Sequence, residues 1–286
     1  MPRARTARLP GNRLHLQDGP IDLVIEAGGA ASDVEAAYAA AERRFGTILD
    51  ELCAELPLLR SSIRPGRPMP EGTVARRMWQ ACAPFADAFI TPMAAVAGSV
   101  AEEVLGAMMA AADLGRVYVN NGGDIALHLG AGETMEIGLV DRPDRPRIYG
   151  AVTISAARPI RGIATSGWRG RSFSLGIADA VTVLAKTAAA ADAAATIVAN
   201  AVDLPGHPAI GRCPACERDP QSDLRSLPVT VEVGALSATE VEAALTAGLA
   251  VARDCVARGF IEAAALHLDG QTVQTGLQLL QHSASA

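Results

Sequence analysis

Hydrophobic and polar residues alternate over residues 13–17 and 21–27, a pattern that predicts two short strands. The Asp-Gly-Pro sequence between them favours a turn, so the two strands are expected to form a hairpin. Apolar residues then recur at close to the helical period of about 3.6 residues over positions 34–52. This pattern predicts a helix that Ser32 and Asp33 cap and that packs on the hairpin.

The next segments alternate between helix and strand patterns. A helix is expected from Thr73 to Phe85, and a longer helix of small residues begins after Pro92 and ends near Gly115. Alternating apolar residues then predict two strands joined by a glycine bend over residues 116–130. The same pattern predicts single strands at residues 134–141, 147–156, 160–165, 179–185 and 227–234.

The remaining segments are an alanine-rich helix, loops and a terminal hairpin. The helix is predicted within residues 187–202, and loops rich in proline and glycine at 56–72 and 203–228. Thr239 is expected to cap a further helix, and a final hairpin turns near residues 269–270. Strand pairs that alternate with long helices predict an α+β fold, with helices covering mainly antiparallel sheets. We expect a single domain or two intertwined α+β halves.

Composition and charge narrow the classes of function. The chain carries a formal net charge of −6, which argues against a nucleic-acid partner because phosphate binding needs clustered cations. The arginine-rich N-terminus lacks the apolar core of a secretory signal. We also expect no apolar stretch of about 18 residues, and hence no membrane partner. These features predict a soluble, cytoplasmic protein, and its helices of small residues permit a homodimer.

The five cysteines do not form a recognisable disulfide pattern. Cys213 and Cys216 form a Cys-Pro-Ala-Cys motif, with only His207 nearby as another zinc ligand. A redox pair normally opens a helix after a strand, whereas this motif is expected in a loop. Two loop cysteines without a role are the favoured interpretation.

Asp192 and Thr196 interrupt the alanine-rich helix one turn apart. Side chains four residues apart share a helix face, so their oxygens can converge on one point. Mg²⁺ prefers such oxygen ligands, completed by backbone carbonyls, water or phosphate. The alternative is that Asp192 caps the helix and Thr196 is an ordinary internal residue.

Three other segments carry weaker signals for ligand binding. The adjacent glycines of Asn-Asn-Gly-Gly-Asp suit close approach of a flat ring or a phosphate, or a simple bend with positive φ. The Thr-Ser-Gly turn can hold a pyrophosphate with help from Arg161, Arg169 or Arg171, or it can be only a turn. Small residues near position 97 leave backbone groups accessible at a helix start.

Together, in order and spacing, the four segments resemble the ApbE family. That family has the motifs G-I-A-K-G, N-A-G-G-D, T-S-G and A-D-A-x-A-T, and its members transfer FMN from FAD to a threonine or serine of a target protein with Mg²⁺. The matching segments here are AVAGS (95–99), NNGGD (120–124), ATSG (164–167) and ADAAAT (191–196). The resemblance implies an ApbE-like, T-fold-related domain over residues 1–286, with FAD as substrate or ligand.

The resemblance also implies roles for individual residues. Asp192 and Thr196 would be catalytic residues and, with the carbonyl oxygen of Ala97, metal ligands. A second set would bind the flavin and its phosphates: Asn121, Gly122, Gly123, Asp124, Thr165, Ser166 and Gly167. In the implied reaction, a hydroxyl of an acceptor protein attacks the FMN phosphorus and AMP leaves.

Two departures from the family pattern bear on activity. Gly98 stands where the family has lysine, and the family's H-I-I-D-P segment is missing from the 24 residues between Gly167 and Asp192. The chain therefore resembles a short cytoplasmic branch of the family. One hypothesis is a Mg²⁺-dependent flavin transferase or FAD pyrophosphatase. The alternative is a protein without catalysis that binds or matures a cofactor such as a flavin, a pterin or another nucleotide-like ligand.

Overall fold

The computed structural model describes residues 4–64, 66–140, 148–276 and 280–281. The strands are β1 (Arg5–Leu9), β2 (Arg13–Asp18), β3 (Ile21–Gly28), β4 (Arg116–Asn121), β5 (Asp124–Leu129), β6 (Thr134–Val140), β7 (Ile148–Ser155), β8 (Gly162–Ser166), β9 (Ala180–Ala185), β10 (Ile210–Pro214), β11 (Pro228–Val233), β12 (Ala263–Leu268), β13 (Gln271–Thr275) and β14 (Leu280–Gln281). The helices are α1 (Ala31–Ala54), α2 (Leu56–Leu59), α3 (Thr73–Cys82), α4 (Val96–Ala111), α5 (Ala188–Ala201), α6 (Ala215–Arg218) and α7 (Ala238–Ala257).

The chain divides into two compact units. The first contains the described residues of Met1–Met135, Ile154–Ala164 and Ala185–Ala193. The second contains those of Glu136–Thr153, Thr165–Leu184 and Ala194–Ala286. The boundary falls inside several elements, among them β8 and α5. The expectation of a single domain or of two intertwined α+β halves stays a prediction.

The first unit is an antiparallel sheet covered by helices. Its strands follow the order β1, β2, β3, β4, β5, β8, and each neighbouring pair is antiparallel. Helices α1 and α4 pack on each other and on strands of this sheet. Every second residue of β2 is buried, as the alternation in the sequence predicts. Large apolar side chains fill the space between sheet and helices, including those of Leu14, Leu16, Leu23, Tyr38, Phe45 and Ile48.

The second unit contains further antiparallel strands and α7. Strand β12 pairs with β9 on one side and with β13 on the other. All six residues of β9 and all six of β12 are buried, and α7 packs on β12 and β13. Strand β10 pairs with β11, and β14 pairs with β7. The α+β class with antiparallel sheets is therefore confirmed.

Several elements differ from the sequence predictions. Strand β1 was not predicted because it is an exposed edge strand, so its residues show no apolar alternation. Short helix α2 lies in the first predicted loop, and β10 and α6 lie in the second. Helix α4 ends at Ala111, before the predicted end near Gly115. The predicted strand ends at residues 141 and 147 lie outside the described residues.

The Cys-Pro-Ala-Cys motif does not lie in a loop, which corrects the prediction. Cys213 belongs to β10 and Cys216 to the four-residue helix α6 that follows it. Both thiols are free. Within the described part of the chain, no group of three or more His, Cys, Asp or Glu side chains could hold a metal ion.

The stretch Pro92–Ala111, which contains α4, is long and apolar enough to cross a membrane by length and composition alone. The expectation that no segment reaches this limit was therefore wrong. In the first unit, α4 packs on α1, α3, β4 and β5. Its Glu103 pairs with Arg44 of α1 and Arg77 of α3. These contacts are those of a core helix.

Two predicted helix caps were wrong. Ala30 occupies the N-cap position of α1, so Ser32 and Asp33 lie inside its first turn. Ser237, rather than Thr239, caps α7 in a capping box with Glu240. Thr and Ser are both favoured at this position, and each is followed by a glutamate three residues later, Glu240 or Glu242, so the residue types alone do not decide between them.

The capping box predicts an acid-sensitive contribution to stability. Hydrogen bonds from the Ser237 amide, then from His207 and the Ser237 hydroxyl, lower the pKa of Glu240 from 4.5 to about 2. A lowered carboxyl pKa stabilises the fold above the unfolded value of 4.5, and this contribution disappears as the pH falls towards 2. Glu240→Gln keeps the cap acceptor without titrating, so the difference in unfolding free energy between wild type and this variant should shrink over that pH range. A constant difference in urea unfolding would contradict the prediction.

Candidate functional site

Asp192 lies inside helix α5 and not at its start. The hydroxyl of Thr187 accepts a hydrogen bond from the amide of Ala190 at 3.2 Å and so provides the N-terminal cap. Asp192 is the fifth residue of the helix, so the alternative in which it caps the helix is wrong. Its Oδ2 instead accepts a hydrogen bond of 3.0 Å from the amide of Gly98 in the first turn of α4.

Helices α4 and α5 approach each other closely enough for backbone contact at Gly98. A Cβ atom at this position would lie 2.3 Å from the carbonyl oxygen of Ala188 and 2.8 Å from the amide nitrogen of Ala189. Real Cβ contacts are essentially never this short, so glycine permits the approach. The family's lysine therefore cannot be restored at Gly98 without separating the two helices.

Asp124 contributes a second carboxylate near Asp192. Burial, and next the negative charge of Asp124, raise the pKa of Asp192 well above its ordinary value. The amides of Gly98 and Ala97 oppose this shift because they donate to the carboxylate. Two interacting carboxylates repel each other, which favours a cation between or beside them.

The glycine bend joins β4 to β5 and places Asp124 at the start of β5. Asn121 pairs with Asp124 across the sheet, so Gly122 and Gly123 form a two-residue loop. Their φ angles are 65° and 115°, in the left-handed region that favours glycine. Oδ1 of Asn120 accepts from the amide of Gly123 at 2.9 Å. The bend thus has a structural role, and both glycines are exposed.

Asn121 contacts the carbonyl oxygen of Ala97, which the sequence resemblance implies is a metal ligand. Its side chain is buried, and Nδ2 donates a hydrogen bond of 3.1 Å to the carbonyl oxygen of Ala97. Ala97 directly precedes Gly98 in α4. The first unit therefore brings together Ala97, Asn121, Asp124 and Asp192 from three separate sequence segments.

The other predicted site residues belong to the second unit. Thr165 is exposed, and its hydroxyl oxygen lies 2.9 Å from that of Thr182. Ser166 is half-buried, and Gly167 is packed so tightly that a Cβ atom would lie 2.4 Å from the carbonyl oxygen of Asp179. Thr196 is half-buried on α5, one helical turn after Asp192.

The arginines proposed to assist the Thr-Ser-Gly turn already interact with protein groups. The Arg161 guanidinium donates to the carbonyl oxygens of residues 156, 158 and 160. Arg169 pairs with Asp179 at 2.6 Å and lies 4.2 Å from the ring centroid of Trp168. Arg171 is exposed. Phosphate binding by Arg161 or Arg169 would have to replace these contacts.

The donor atoms of the first unit fit a hard cation. The carboxylates of Asp192 and Asp124 and the carbonyl of Ala97 are oxygen donors, which Mg²⁺ prefers over nitrogen or sulfur. Gly98 and Asn121 each occupy only part of the accepting capacity of Asp192 and Ala97, because carboxylate and carbonyl oxygens have several lone pairs.

Sequence reasoning missed the contribution of Glu102 to this region. Its Oε1 accepts a hydrogen bond of 2.8 Å from the amide of Ala189 at the start of α5. The available signal was a pair of adjacent glutamates, residues 102 and 103, in a helix made otherwise of small and apolar residues.

The close helix contact predicts opposite effects for two glycines of α4. Gly98→Ala should destabilise the protein by about 1–3 kcal/mol, because its Cβ would press on the backbone of Ala188. Gly106→Ala is the control, since among the described residues a Cβ there would meet no atom within 4 Å beyond its chain neighbours and the nearby backbone of its own helix. Alanine there should stabilise the helix by about 0.4–1 kcal/mol. Urea unfolding of both variants tests this, and a neutral Gly98→Ala would contradict the tight contact.

Comparison with known proteins identifies the family of this chain. A family model described as "AbpE bacteria" matches residues 5–274. A UPF0280 protein of Methanopyrus kandleri is 36% identical over 181 residues, which cover 63% of this chain and 69% of that protein. A UPF0280 protein of Methanosphaerula palustris is 35% identical over 164 residues, which cover 54% and 63% of the two chains.

Comparison with solved structures finds the apo form of the flavinyl transferase ApbE from Pseudomonas stutzeri. Its TM-score is 0.43 at 13% identity, covering 95% of this chain and 93% of that one. The flavin transferase ApbE from Vibrio cholerae gives a TM-score of 0.36 at 13% identity, covering 95% and 97%. The match to residues 5–274 spans nearly the whole chain, and the chain therefore belongs to the ApbE-like family described as AbpE bacteria.

Proposed function

We propose that this protein binds a flavin nucleotide together with Mg²⁺ and acts on the pyrophosphate of FAD. The observation that carries the proposal is the carboxylate of Asp192, which the amide of Gly98 holds at the start of α4 and which lies near Asp124. This arrangement concentrates negative charge and oxygen donors at a place where two backbones meet. The flavin ligand and the class of reaction are inferred from the resemblance of the motifs to the ApbE family.

The Asp192 carboxylate and the Ala97 carbonyl oxygen would hold the cation, with the Thr196 hydroxyl as the further ligand that the resemblance implies. When bound, Mg²⁺ neutralises charge on the FAD pyrophosphate. The repulsion between Asp124 and Asp192 favours cation binding, because a positive charge offsets both this repulsion and the desolvation of Asp192.

The nucleotide would contact two glycine-containing turns. Gly122 and Gly123 are exposed and lack side chains, so their backbone can approach the flavin closely. Asn121 would keep the bend beside the cation site through its bond to Ala97. Thr165 and Ser166 offer hydroxyls, and Gly167 a backbone amide, for the phosphate end.

The reaction would be displacement at the FMN phosphorus. A hydroxyl oxygen forms a new bond to this phosphorus, the phosphorus–oxygen bond to AMP breaks, and AMP leaves with the electron pair. With water as the attacking group the products are FMN and AMP, and with a serine or threonine of an acceptor protein the product is a flavinylated protein. The protein's contribution would be positioning and electrostatics rather than a covalent intermediate.

A second candidate function is binding or maturation of a flavin, a pterin or another nucleotide-like cofactor without turnover. Three observations favour it. Gly98 removes the family's lysine, and the guanidinium groups of Arg161 and Arg169 already bind protein groups. Such a protein would keep the cation and nucleotide contacts but stabilise the leaving group less.

Incubation of the purified protein with FAD and Mg²⁺ tests the first candidate. We expect release of AMP, with FMN as free product or attached to an acceptor peptide, measured by chromatography of the nucleotides. Asp192→Asn should reduce AMP release to background because the amide is a weaker cation ligand. Asp254→Asn is the control, since Asp254 is exposed and its carboxylate pairs with Arg258, the residue that directly follows α7.

The same samples separate the two candidates. Flavin binding is followed through the fluorescence of Trp79 and Trp168, which titrations with FAD and FMN should quench. Flavin binding without AMP release would reject catalysis and leave the binding function. If the protein neither binds flavin nor releases AMP, the first candidate is rejected, and the ligand of the second candidate is a different small molecule.

A further inference from the structure

Glu102 makes a second direct contact between α4 and α5, beside the one made by Asp192. Its Oε1 accepts the hydrogen bond from the amide of Ala189, the second residue of α5. The first amides of a helix have no partner within the helix, so this carboxylate satisfies a group that otherwise lacks one. Its negative charge also suits the positive end of the helix dipole.

The two contacts lie next to each other because of helix periodicity. Glu102 lies one turn after Gly98 on α4, and Ala189 lies nearly one turn before Asp192 on α5. The later residue of α4 contacts the earlier residue of α5, so the two helices run in opposite directions at this place. Two adjacent bonds fix both the spacing and the axial register of the helices, which a single bond leaves free to change.

Glu102 is itself held in place by Arg77 of α3. Arg77 Nε lies 3.2 Å from Glu102 Oε2, and its Nη1 donates to the carbonyl oxygen of Ser99 at 3.0 Å. Its Nη2 pairs with Glu103 at 2.9 Å. The Glu102 side chain is 19% exposed. Arg77 therefore holds the carboxylate on the side that faces α5.

We infer that Glu102 is a positioning residue for the cation site, because its bond to Ala189 sets the Asp192 carboxylate at the correct distance from the Ala97 carbonyl. This inference rests on the proposed function. The outer groups that orient metal ligands typically contribute about 10- to 100-fold to metal affinity. Loss of the bond should therefore weaken cation binding about tenfold or more, without removal of any ligand.

Titration with Mn²⁺ alone, followed by the electron paramagnetic resonance signal of the free ion, measures the affinity without any reaction. Glu102→Ala removes the acceptor and should raise the Kd for Mn²⁺ about tenfold or more. Glu102→Gln retains an oxygen that can accept from Ala189 and should recover most of the affinity. Circular dichroism establishes that each variant is folded. If Glu102→Ala does not fold, Glu102→Asp, which shortens the side chain by one methylene, replaces it and should also weaken binding.

Glu103→Ala is the matched control. Glu103 is the next residue of α4, is similarly buried, and pairs with Arg44 and Arg77, neither of which is in α5. Its loss should lower the free energy of unfolding while the Kd for Mn²⁺ stays within about threefold of wild type, a change well below the range for an orienting group. If Glu103→Ala and Glu102→Ala weaken binding equally, general destabilisation explains the effect and the inference is overturned.

Asp192→Asn distinguishes failure of this inference from failure of the proposed function. Binding that is lost in Asp192→Asn but unchanged in Glu102→Ala overturns the positioning role and leaves the cation site intact. Absence of Mn²⁺ binding by the wild-type protein overturns the cation site itself, and the positioning role with it.

Discussion

Backbone contact at the start of α5 is the constraint on which the candidate site depends. Two glycines make it possible, one in α4 and one in β8. A Cβ atom at Gly98 would lie 2.3 Å from the Ala188 oxygen, and one at Gly162 would lie 2.1 Å from the carbonyl carbon of Thr187. The start of α5 is therefore enclosed by α4 and β8 within the first unit, and the helix has little freedom to shift. This restriction brings Asp192 within hydrogen-bonding distance of the Gly98 amide.

The backbone contact at Gly98 shows that replacing the family's lysine with glycine changes the packing of α4 on α5 as well as the charge of the site. At Gly98, any side chain would meet the backbone of α5, so glycine and the short helix separation require each other. The Gly98 amide donates to the carboxylate that the resemblance identifies as a metal ligand. The negative charge of Asp192 is therefore partly offset by fixed dipoles and not by a mobile cationic side chain.

The sequence predicted the fold class and most elements because their apolar periodicity reflects burial on one face. It did not predict β1, since an exposed edge strand needs no such pattern. Residues 237–242 contain two possible capping boxes, Ser237 with Glu240 and Thr239 with Glu242, so the sequence left the choice of cap ambiguous. For the site, the family resemblance implied that Asp192 is a metal ligand, whereas residue types alone left a helix cap as the alternative. They could not reveal the bond between Glu102 and Ala189, because these residues are 87 positions apart and neither belongs to a recognisable pair.

Three of the sequence motifs contact one another in the structure. Asn121 of the glycine bend binds Ala97 of the helix start, and Gly98 of the same helix start binds Asp192 of the alanine-rich helix. Asp124 of the bend then acts on Asp192 through its charge. Residues of three motifs therefore hold one another before any ligand is considered. The residues of these three motifs are thus constrained by their contacts with one another as well as by the proposed ligand. A substitution in one motif should therefore alter the geometry of the other two.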